Sequence, residues 1–261
     1  MSIDVLKAAS DGLAAGNRTA LATVTHVSGS APGIAGAMMA VLENGAQTGT
    51  IGGGVVEHAV LSRIRNSFKT GENFDFEYDL GKDGSLGMTC GGHMRGFVNV
   101  LLPNRRLIIF GAGHVSQQIA ALAGLLPFDV TIADERKELV NSFHMQHTFL
   151  ALPPGEAINH LRFDGNTFIV LVNRGHQVDC ETLRLVIGRP AAYIGMMGSR
   201  SKVADIKAKL SSEGVPNELI ERVYMPIGLD ICGGTPVQIA FSIVSELLAV
   251  MNGKSGGHRR L

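Results

Sequence analysis

The chain has 261 residues, 45% of them hydrophobic, which is enough for one large or two ordinary domains with well-packed cores. Lys and Arg together number 23, as do Asp and Glu, so the formal net charge is zero and no overall positive field attracts nucleic acid. Three cysteines argue against a disulfide scaffold and for a reducing compartment. With no secretory signal pattern and no apolar run near the ~18 residues of a membrane helix, we expect a cytoplasmic protein without membrane partners.

The first hundred residues predict a small α+β domain. Hydrophobic periodicity predicts helices over residues 2–16 and about 55–68. Stretches that alternate or are rich in β-branched residues predict strands over 19–27, 37–42, 73–80 and 96–102. A polar segment that contains Pro103 is the best domain boundary. We therefore expect an N-terminal domain over 1–103, a C-terminal domain over 104–252 and a flexible tail over 253–261.

The C-terminal domain begins with a glycine fingerprint. An apolar run ends in Gly111-x-Gly113, a helical stretch follows, and a second apolar run ends at Asp134. This order is typical of a dinucleotide-binding βαβ unit. Gly111 permits the tight turn, Gly113 lets the backbone approach a pyrophosphate, and the helix that begins near His114 supplies free N–H groups. Asp134 has the spacing of an acceptor for a ribose 2′-hydroxyl, while Arg136 leaves a ribose 2′-phosphate open.

Strand and helix signals alternate through the rest of the C-terminal domain. Strands are predicted over residues 167–172, 191–194 and 223–225, and helices over 180–187, 199–211 and 237–251. Short links between alternating elements imply a parallel sheet covered on both faces, which is a Rossmann-like, doubly wound α/β fold. The long apolar helix over 237–251 is either buried in its own domain or shared in a homodimer.

Three further places in this domain have the residue types of a ligand site. Gly198, Ser199 and Arg200 open a helix with flexible backbone, an N-cap and a cation, which suits either a phosphate or a simple capped turn. Asp230 precedes paired glycines, which indicates that backbone comes near a ligand. His176 follows the strand over 167–172, and ligands of open α/β sheets bind at the carboxyl ends of strands. A purely structural histidine is the alternative interpretation.

The N-terminal domain carries two unusual motifs. The first is a run of three glycines that enters a helix: Gly52, Gly53 and Gly54. Glu57, in the first turn of that helix, disfavours a phosphate beside it and suits a base or a ligand, unless the glycines only allow close packing. In the second motif, Cys90 lies in a glycine turn three residues before His93. A nearby histidine or exposed N–H groups lower the pKa of a thiol, which suits a nucleophile or a ligand of a soft metal.

Together these motifs resemble the XdhC/CoxI family, the maturation factors of molybdenum hydroxylases such as xanthine dehydrogenase and carbon monoxide dehydrogenase. The resemblance covers about residues 8–251. It rests on the glycine loop with Glu57, on Cys90-Gly-Gly, on the fingerprint over 110–115, and on two later motifs over 193–200 and 227–231. The sequence departs from the family's pattern at Cys232, where the family usually has glycine.

The resemblance implies both a fold and a role. The fold is a small N-terminal domain followed by a C-terminal Rossmann domain. The role is to bind molybdenum cofactor, to keep it available for sulfuration and to deliver it into the apo-enzyme of a molybdenum hydroxylase, generally without turnover of its own. The cofactor is molybdopterin or its dinucleotide form, and a cysteine desulfurase is the candidate sulfur donor.

Our hypothesis gives the molybdenum end of the cofactor to Cys90, as a neighbour of the metal, and to Glu57 and His93 as the other candidate catalytic groups. The candidate cofactor-binding residues are Gly52, Gly53, Gly54, Gly111, Gly113, His114, Asp134, His176, Gly198, Ser199, Arg200 and Asp230. One rival is an NAD(P)-dependent oxidoreductase, for which His176 is the only obvious proton-transfer group. The second rival is a ligand-sensing or scaffold module whose glycine loops are structural.

Overall fold

A computed structural model describes residues 2–81, 91–231 and 234–258, with only the backbone of His176. The chain divides into two compact units, Met1–Asn104 and Arg105–Leu261. No helix in these described ranges is both long and apolar enough to span a membrane.

The N-terminal unit is built on an antiparallel sheet. Its elements are α1 (Ser2–Ala14), β1 (Thr19–Ser28), β2 (Met38–Leu42), β3 (Gln47–Gly49), α2 (Gly54–Thr70), β4 (Phe74–Asp79) and β5 (His93–Leu101). The strand order is β3-β2-β1-β5-β4, and every pairing is antiparallel. Helix α2 places a stripe of buried side chains in the main core with β1, β2 and β5: Val56, Val60, Ile64 and Phe68. Their spacing of four residues is one face of a helix.

The C-terminal unit is built on a parallel sheet. Its strands are β6 (Arg105–Phe110), β7 (Phe128–Ala133), β8 (Thr148–Leu150), β9 (Thr167–Leu171) and β10 (Tyr193–Met196). Its helices are α3 (His114–Ala123), α4 (Pro154–Ala157), α5 (His176–Val186), α6 (Arg200–Ser212), α7 (Asn217–Glu221) and α8 (Pro236–Met251), with 3₁₀ turns at Lys137–Ser142 and Ile158–His160. The strand order is β10-β9-β6-β7-β8, with all pairings parallel.

Helices cover both faces of this sheet. Leu107 and Ile109 of β6 point into a core shared with α3 and α8, whereas Ile108 and Phe110 point into a core shared with α5 and α6. The alternation follows from the two-residue period of a strand. The predicted fold class, a Rossmann-like doubly wound sheet with a smaller α+β domain, is confirmed.

The periodic elements predicted from the sequence are present, with differences at their ends. Helix α5 begins at His176, four residues before the predicted start, because its first turn is polar and carries no apolar period. The strand predicted over 223–225 is wrong as a full strand, since only Tyr224 forms a bridge, to Gly195. The short elements β8 and α4 were not predicted, because three or four residues show no measurable periodicity.

Candidate functional site

The parallel sheet has a topological switch point between β6 and β9. The chain runs from β6 outward to β7 and β8 on one side, and then returns to β9 and β10 on the other. The carboxyl ends of β6 and β9 therefore lead into two loops that diverge, 111–113 and 172–175. Ligands of open α/β sheets bind in the crevice at such a point.

Two glycines of the fingerprint have different roles. Gly111 has a φ of +102°, and a Cβ atom there would lie 2.6 Å from the carbonyl oxygen of Val172, so the close approach of the two loops requires glycine. Gly113 has an extended backbone, with φ −71° and ψ −179°, and it precedes the first residue of α3. A Cβ atom on Gly113 would meet no described atom within 4 Å. Its missing side chain therefore leaves open space at the start of α3, where a phosphate would approach the backbone.

Asp134 is held by groups of its own chain. Its Oδ2 atom accepts hydrogen bonds from the backbone N–H of Ala112 at 2.7 Å and from Nη2 of Arg136 at 2.6 Å. Its Oδ1 atom accepts from Nε of Arg136 at 2.9 Å and from the Arg136 backbone N–H at 3.0 Å. Burial raises the pKa of Asp134, but the hydrogen bonds from Arg136 and Ala112 lower it more, so the net pKa lies below its ordinary value. The predicted ribose acceptor is thus an ionised group already bound to Arg136.

Two cavities meet at the switch point. The first, of about 450 Å³, is lined by Ala112, Gly113, His114, Val115, Gln117, Arg136, Leu139, Val172, Asn173, Arg174, Met197 and Pro236. The second, of about 440 Å³, is lined by Asp134, Glu135, Arg136, Pro153, Pro154, Asn173, Arg174, Val178 and Glu181. Arg136, Asn173 and Arg174 line both cavities, so the two form one crevice. The crevice brings together Gly113, His114 and Asp134 of the predicted site.

A buried ion pair supports the loop that follows β9. The carboxylate of Asp179 is fully buried and lies 2.5 Å from Nζ of Lys202. Its other oxygen accepts hydrogen bonds from the backbone N–H and the side-chain amide of Asn173, each at 3.0 Å. Lys202 also donates to the carbonyl oxygen of Met197 at 3.2 Å. Because Asn173 and Met197 line the crevice, this ion pair fixes two of its walls.

The Gly198-Ser199-Arg200 motif forms a helix cap in this structure. The Ser199 hydroxyl accepts a hydrogen bond from the backbone N–H of Lys202, which is the ordinary N-cap contact. Gly198 packs on Lys202, since a Cβ atom there would lie 2.8 Å from Cδ of that side chain. Arg200 is exposed. Met197, which precedes the motif, lines the crevice, whereas Gly198, Ser199 and Arg200 are not among the described residues that line it. The phosphate role predicted for the motif stays a prediction.

The loop over 227–231 is anchored to α8. Glu246 is buried, and its Oε1 atom accepts hydrogen bonds from the hydroxyl of Tyr193 and, at 3.1 Å, from the backbone N–H of Gly228. Burial raises the pKa of Tyr193 well above its ordinary value, and the Glu246 carboxylate raises it further. The predicted ligand residue Asp230 is exposed beyond this anchor. Cys232 lies outside the described residues.

In the N-terminal unit, Glu57 fills the cradle made by the glycine loop. Its Oε2 atom accepts hydrogen bonds from the Thr50 hydroxyl at 2.5 Å and from the backbone N–H groups of Ile51 and Gly53 at 3.2 Å each. Its Oε1 atom accepts from the Gln47 amide at 2.8 Å. Partial burial raises the pKa of Glu57, but these hydrogen bonds lower it more, so the net pKa is below its ordinary value. The glycine loop therefore binds an anion of its own chain.

The sign of this pKa shift predicts how acid acts on the unit. Because the folded pKa of Glu57 lies below its unfolded value of about 4.5, its contribution is complete above pH 4.5 and is lost as the pH falls through the folded pKa. We expect Glu57→Gln to lower the free energy of unfolding by about 2 kcal/mol at pH 7 and by less at pH 3. Urea unfolding at both pH values measures this, with the exposed Glu72→Gln as control. Equal losses for both variants at pH 7 would contradict the assignment.

Residues 29–33 pack closely against the backbone of the glycine loop and against Gly91 and Gly92. A Cβ atom on Gly52 would lie 2.7 Å from the backbone nitrogen of Gly33. A Cβ atom on Gly92 would overlap the carbonyl oxygen of Ser30 in the same segment. These glycines are required by packing, which supports the structural alternative for part of the loop. Gly53 and Gly54 meet no described atom within 4 Å of a Cβ position and have φ values of +73° and +61°.

His93 lies at the start of β5 and pairs with a carboxylate. Its Nε2 atom is 2.8 Å from Oε1 of Glu77, on the neighbouring strand β4. Its ring centroid is 6.3 Å from that of His26. Cys90 lies outside the described residues, and so does the side chain of His176. Within the described ranges, no group of three His, Cys, Asp or Glu side chains has the arrangement of a metal site.

Local sequence patterns do not predict two of these features. The Asp179–Lys202 pair joins two helices, and no local pattern links residues 23 positions apart. The only signal was an acidic residue in the first turn of α5. Glu246 was likewise hidden in the longest apolar helix, where a single carboxylate among hydrophobic residues is itself an indication of a buried partner.

Comparison with known sequences matches both halves of the chain. Residues 107–247 match the model of the XdhC Rossmann domain, and residues 12–79 match that of the XdhC and CoxI family. Uncharacterized protein YqeB of Escherichia coli (strain K12) is 35% identical over 243 residues, which are 91% of this chain and 44% of that protein. A probable xanthine dehydrogenase subunit of Bacillus subtilis (strain 168) is 28% identical over 154 residues, 58% of this chain and 44% of that protein. The chain thus spans less than half the length of these curated relatives.

A solved structure supports the fold. The crystal structure of a xanthine dehydrogenase from Bacillus halodurans superposes with a TM-score of 0.52 at 20% sequence identity, covering 97% of this chain and 98% of that one. At this identity the likeness shows the fold alone. The family, by contrast, is established by the sequence, since the Rossmann-domain match alone includes more than half of the chain. The chain belongs to the XdhC and CoxI family.

Proposed function

We propose that this protein is an accessory factor that binds molybdenum cofactor and assists its sulfuration and its insertion into a xanthine dehydrogenase-type apo-enzyme. The family supports an association with such an enzyme, and one relative is named as a probable component of xanthine dehydrogenase. In this role the cofactor is cargo, and the protein turns over no substrate of its own. A cysteine desulfurase is the proposed sulfur donor.

The observation that carries the proposal is the crevice at the switch point. Molybdopterin ends in a phosphate, and its dinucleotide form has a pyrophosphate. The first cavity presents the open side of Gly113 together with the guanidinium groups of Arg136 and Arg174. Backbone N–H groups at a helix start and guanidinium groups are the common donors to phosphate in proteins. The residues present therefore fit the phosphate end of the cargo.

Cys90 is the proposed neighbour of molybdenum. A thiolate is a soft ligand, and molybdenum in this cofactor is bound by sulfur, so the two are chemically matched. Glu57 is a weaker candidate base than its sequence suggested, because its lowered pKa makes it a poor proton acceptor at neutral pH. We keep Glu57 as the residue that positions the glycine loop.

A homodimer remains part of the proposal. Helix α8 buries one face against α3, yet its first turns expose Val237 at 46% and Phe241 at 53%. Large side chains with this exposure, four residues apart on one helix, are typical of a surface that contacts another protein. Sedimentation velocity measures the oligomeric state of the protein. We expect Phe241→Asp to shift the protein from dimer to monomer.

The NAD(P)-dependent oxidoreductase stays a second candidate because the fingerprint supports it. Against it, the carboxylate that would accept the ribose hydroxyls is bound to Arg136 through both oxygens. Binding NAD in the usual manner requires breaking that pair. Reduction of NAD(P) with any small alcohol or aldehyde would favour this candidate over cofactor carriage.

The substitution Gly113→Ala tests the crevice directly. Because a Cβ atom there meets no described atom within 4 Å, we expect the free energy of unfolding to change by less than about 1 kcal/mol. The methyl group occupies the space of the ligand phosphate, so the molybdenum and pterin that copurify with the protein should fall by at least about tenfold. Metal analysis and pterin fluorescence measure both. Undiminished cofactor content in a folded Gly113→Ala variant would remove the crevice from the proposal.

A further inference from the structure

The two cavities of the crevice differ in charge. The first is lined by Arg136, Arg174 and His114, and no carboxylate is among the described residues that line it. The second is lined by the carboxylates of Asp134, Glu135 and Glu181, beside the same two arginines. Because the two arginines line both cavities, a ligand that spans the crevice meets cationic side chains without carboxylates in the first cavity and meets added carboxylates in the second.

The positive end has unused donors. Arg136 spends Nε and one Nη2 hydrogen on Asp134, while its Nη1 group makes no hydrogen bond within the described part of the chain. Arg174 is exposed and forms no ion pair with any described residue. A guanidinium with free N–H groups binds a phosphomonoester more strongly than it binds a neutral hydroxyl, because its hydrogen bonds to the phosphate are charge-assisted.

The negative end has unused acceptors. Asp134 is saturated by Arg136 and Ala112, but Glu135 accepts no hydrogen bond from any described residue and Glu181 accepts only one, from Gln177 at 3.0 Å. Pro153 and Pro154 line the same cavity as these carboxylates. Carboxylates bind a ring edge that carries two adjacent N–H donors, whereas an adenine edge alternates a donor with an acceptor.

We propose that the crevice binds its ligand in one direction, with a phosphomonoester between Arg136 and Arg174 and a 2-amino-4-oxopyrimidine ring edge at Glu135 and Glu181. This ring edge occurs in pterins and in guanine. The inference rests on the proposed function, which supplies a phosphorylated pterin as cargo. It assigns each end of that cargo to a cavity and it excludes adenine dinucleotides from the crevice.

Isothermal titration of the full chain tests the proposal with four probes: hydroxymethylpterin phosphate, GMP, AMP and NAD⁺. We expect the two probes with the donor–donor edge to bind at least about tenfold more tightly than AMP, as a bidentate contact discriminates between bases. NAD⁺ should bind no better than AMP. Tighter binding of the pterin phosphate than of GMP identifies a pterin as the ligand, and the reverse order identifies a guanine nucleotide.

Substitutions at exposed residues distinguish the contribution of the phosphate end from that of the ring end. Arg174→Gln should weaken the pterin phosphate and AMP by the same factor, of about tenfold, because both probes carry the phosphate. The double variant Glu135→Gln with Glu181→Gln should instead remove the preference for the pterin over AMP. Lys137→Gln is the matched control, since this exposed cation adjoins Arg136 but lines neither cavity. It should change no affinity.

Two results would overturn the inference. One is binding of AMP or NAD⁺ as tight as that of the pterin phosphate, and the other is no binding of either donor–donor probe. Neither result tests the proposed function, which is measured separately by the molybdenum content of the purified protein. Retained molybdenum with no ring preference rejects only the inference, whereas absent molybdenum rejects the proposed function itself.

Discussion

Replacing Lys202 with Met is expected to lower the free energy of unfolding of the C-terminal unit by about 3–5 kcal/mol. The reason is that Asp179 is completely buried and would lose its cationic partner, which leaves the N–H groups of Asn173 as its donors among the described residues. Two walls of the crevice, at Asn173 and Met197, would lose their common support. Urea unfolding followed by far-UV circular dichroism measures the loss.

The same helix supplies the control for this prediction. Lys207 pairs with Glu221 at 2.8 Å, but Lys207 is only partly buried and Glu221 is exposed, so Lys207→Met should cost less than about 1 kcal/mol. The double variant Lys202→Met with Asp179→Asn removes both charges and should recover part of the loss. A cost for Lys202→Met as small as that for Lys207→Met would show that the buried pair does not hold the loop.

Replacing Cys90 with Ala is expected to reduce the activity of the partner molybdenum hydroxylase to the level found without this protein. The expectation follows from the proposed role of the thiolate as the sulfur next to molybdenum, which alanine cannot replace. The measurement is hydroxylase activity in cells that produce the partner together with each variant. Melting temperature and circular dichroism of purified Cys90→Ala establish that the variant is folded.

Cys180→Ala is the matched control for the thiol. Cys180 is buried on α5 among apolar side chains, so its loss removes a thiol without touching the proposed site. We expect it to support full partner activity. Full activity with Cys90→Ala would instead reject the role of Cys90, and loss with both variants would indicate a general effect of removing thiols.

Much of the fold could be predicted because its information is local. The four-residue stripe of α2 and the two-residue alternation of β6 are visible in the sequence and are reproduced in the cores. The order of strand, glycine turn, helix and acid over 107–134 predicts a Rossmann-like unit for the same reason. Elements of three or four residues, such as β8, give too few positions for a period.

The candidate site was less predictable, because side chains there find partners that no pattern specifies. The spacing of Asp134 from the fingerprint predicts a ribose acceptor, and Arg136 follows two residues later. The hydrogen bonds between the two side chains are seen only in the structure. The sequence predicts that Glu57 disfavours a phosphate at the glycine loop, and in the structure Glu57 itself occupies the donors of that loop. Its described hydrogen-bond partners lie within ten residues of it. Asp179 and Lys202 meet only because α5 and α6 pack side by side.

The most direct test of the central claim is the molybdenum and pterin content of the protein purified from a molybdate-fed host, beside Cys90→Ala. The account predicts molybdenum and pterin fluorescence in the parent protein and neither in the variant. Absence of both from the parent, together with tight binding of NAD, would contradict cofactor carriage and favour the oxidoreductase.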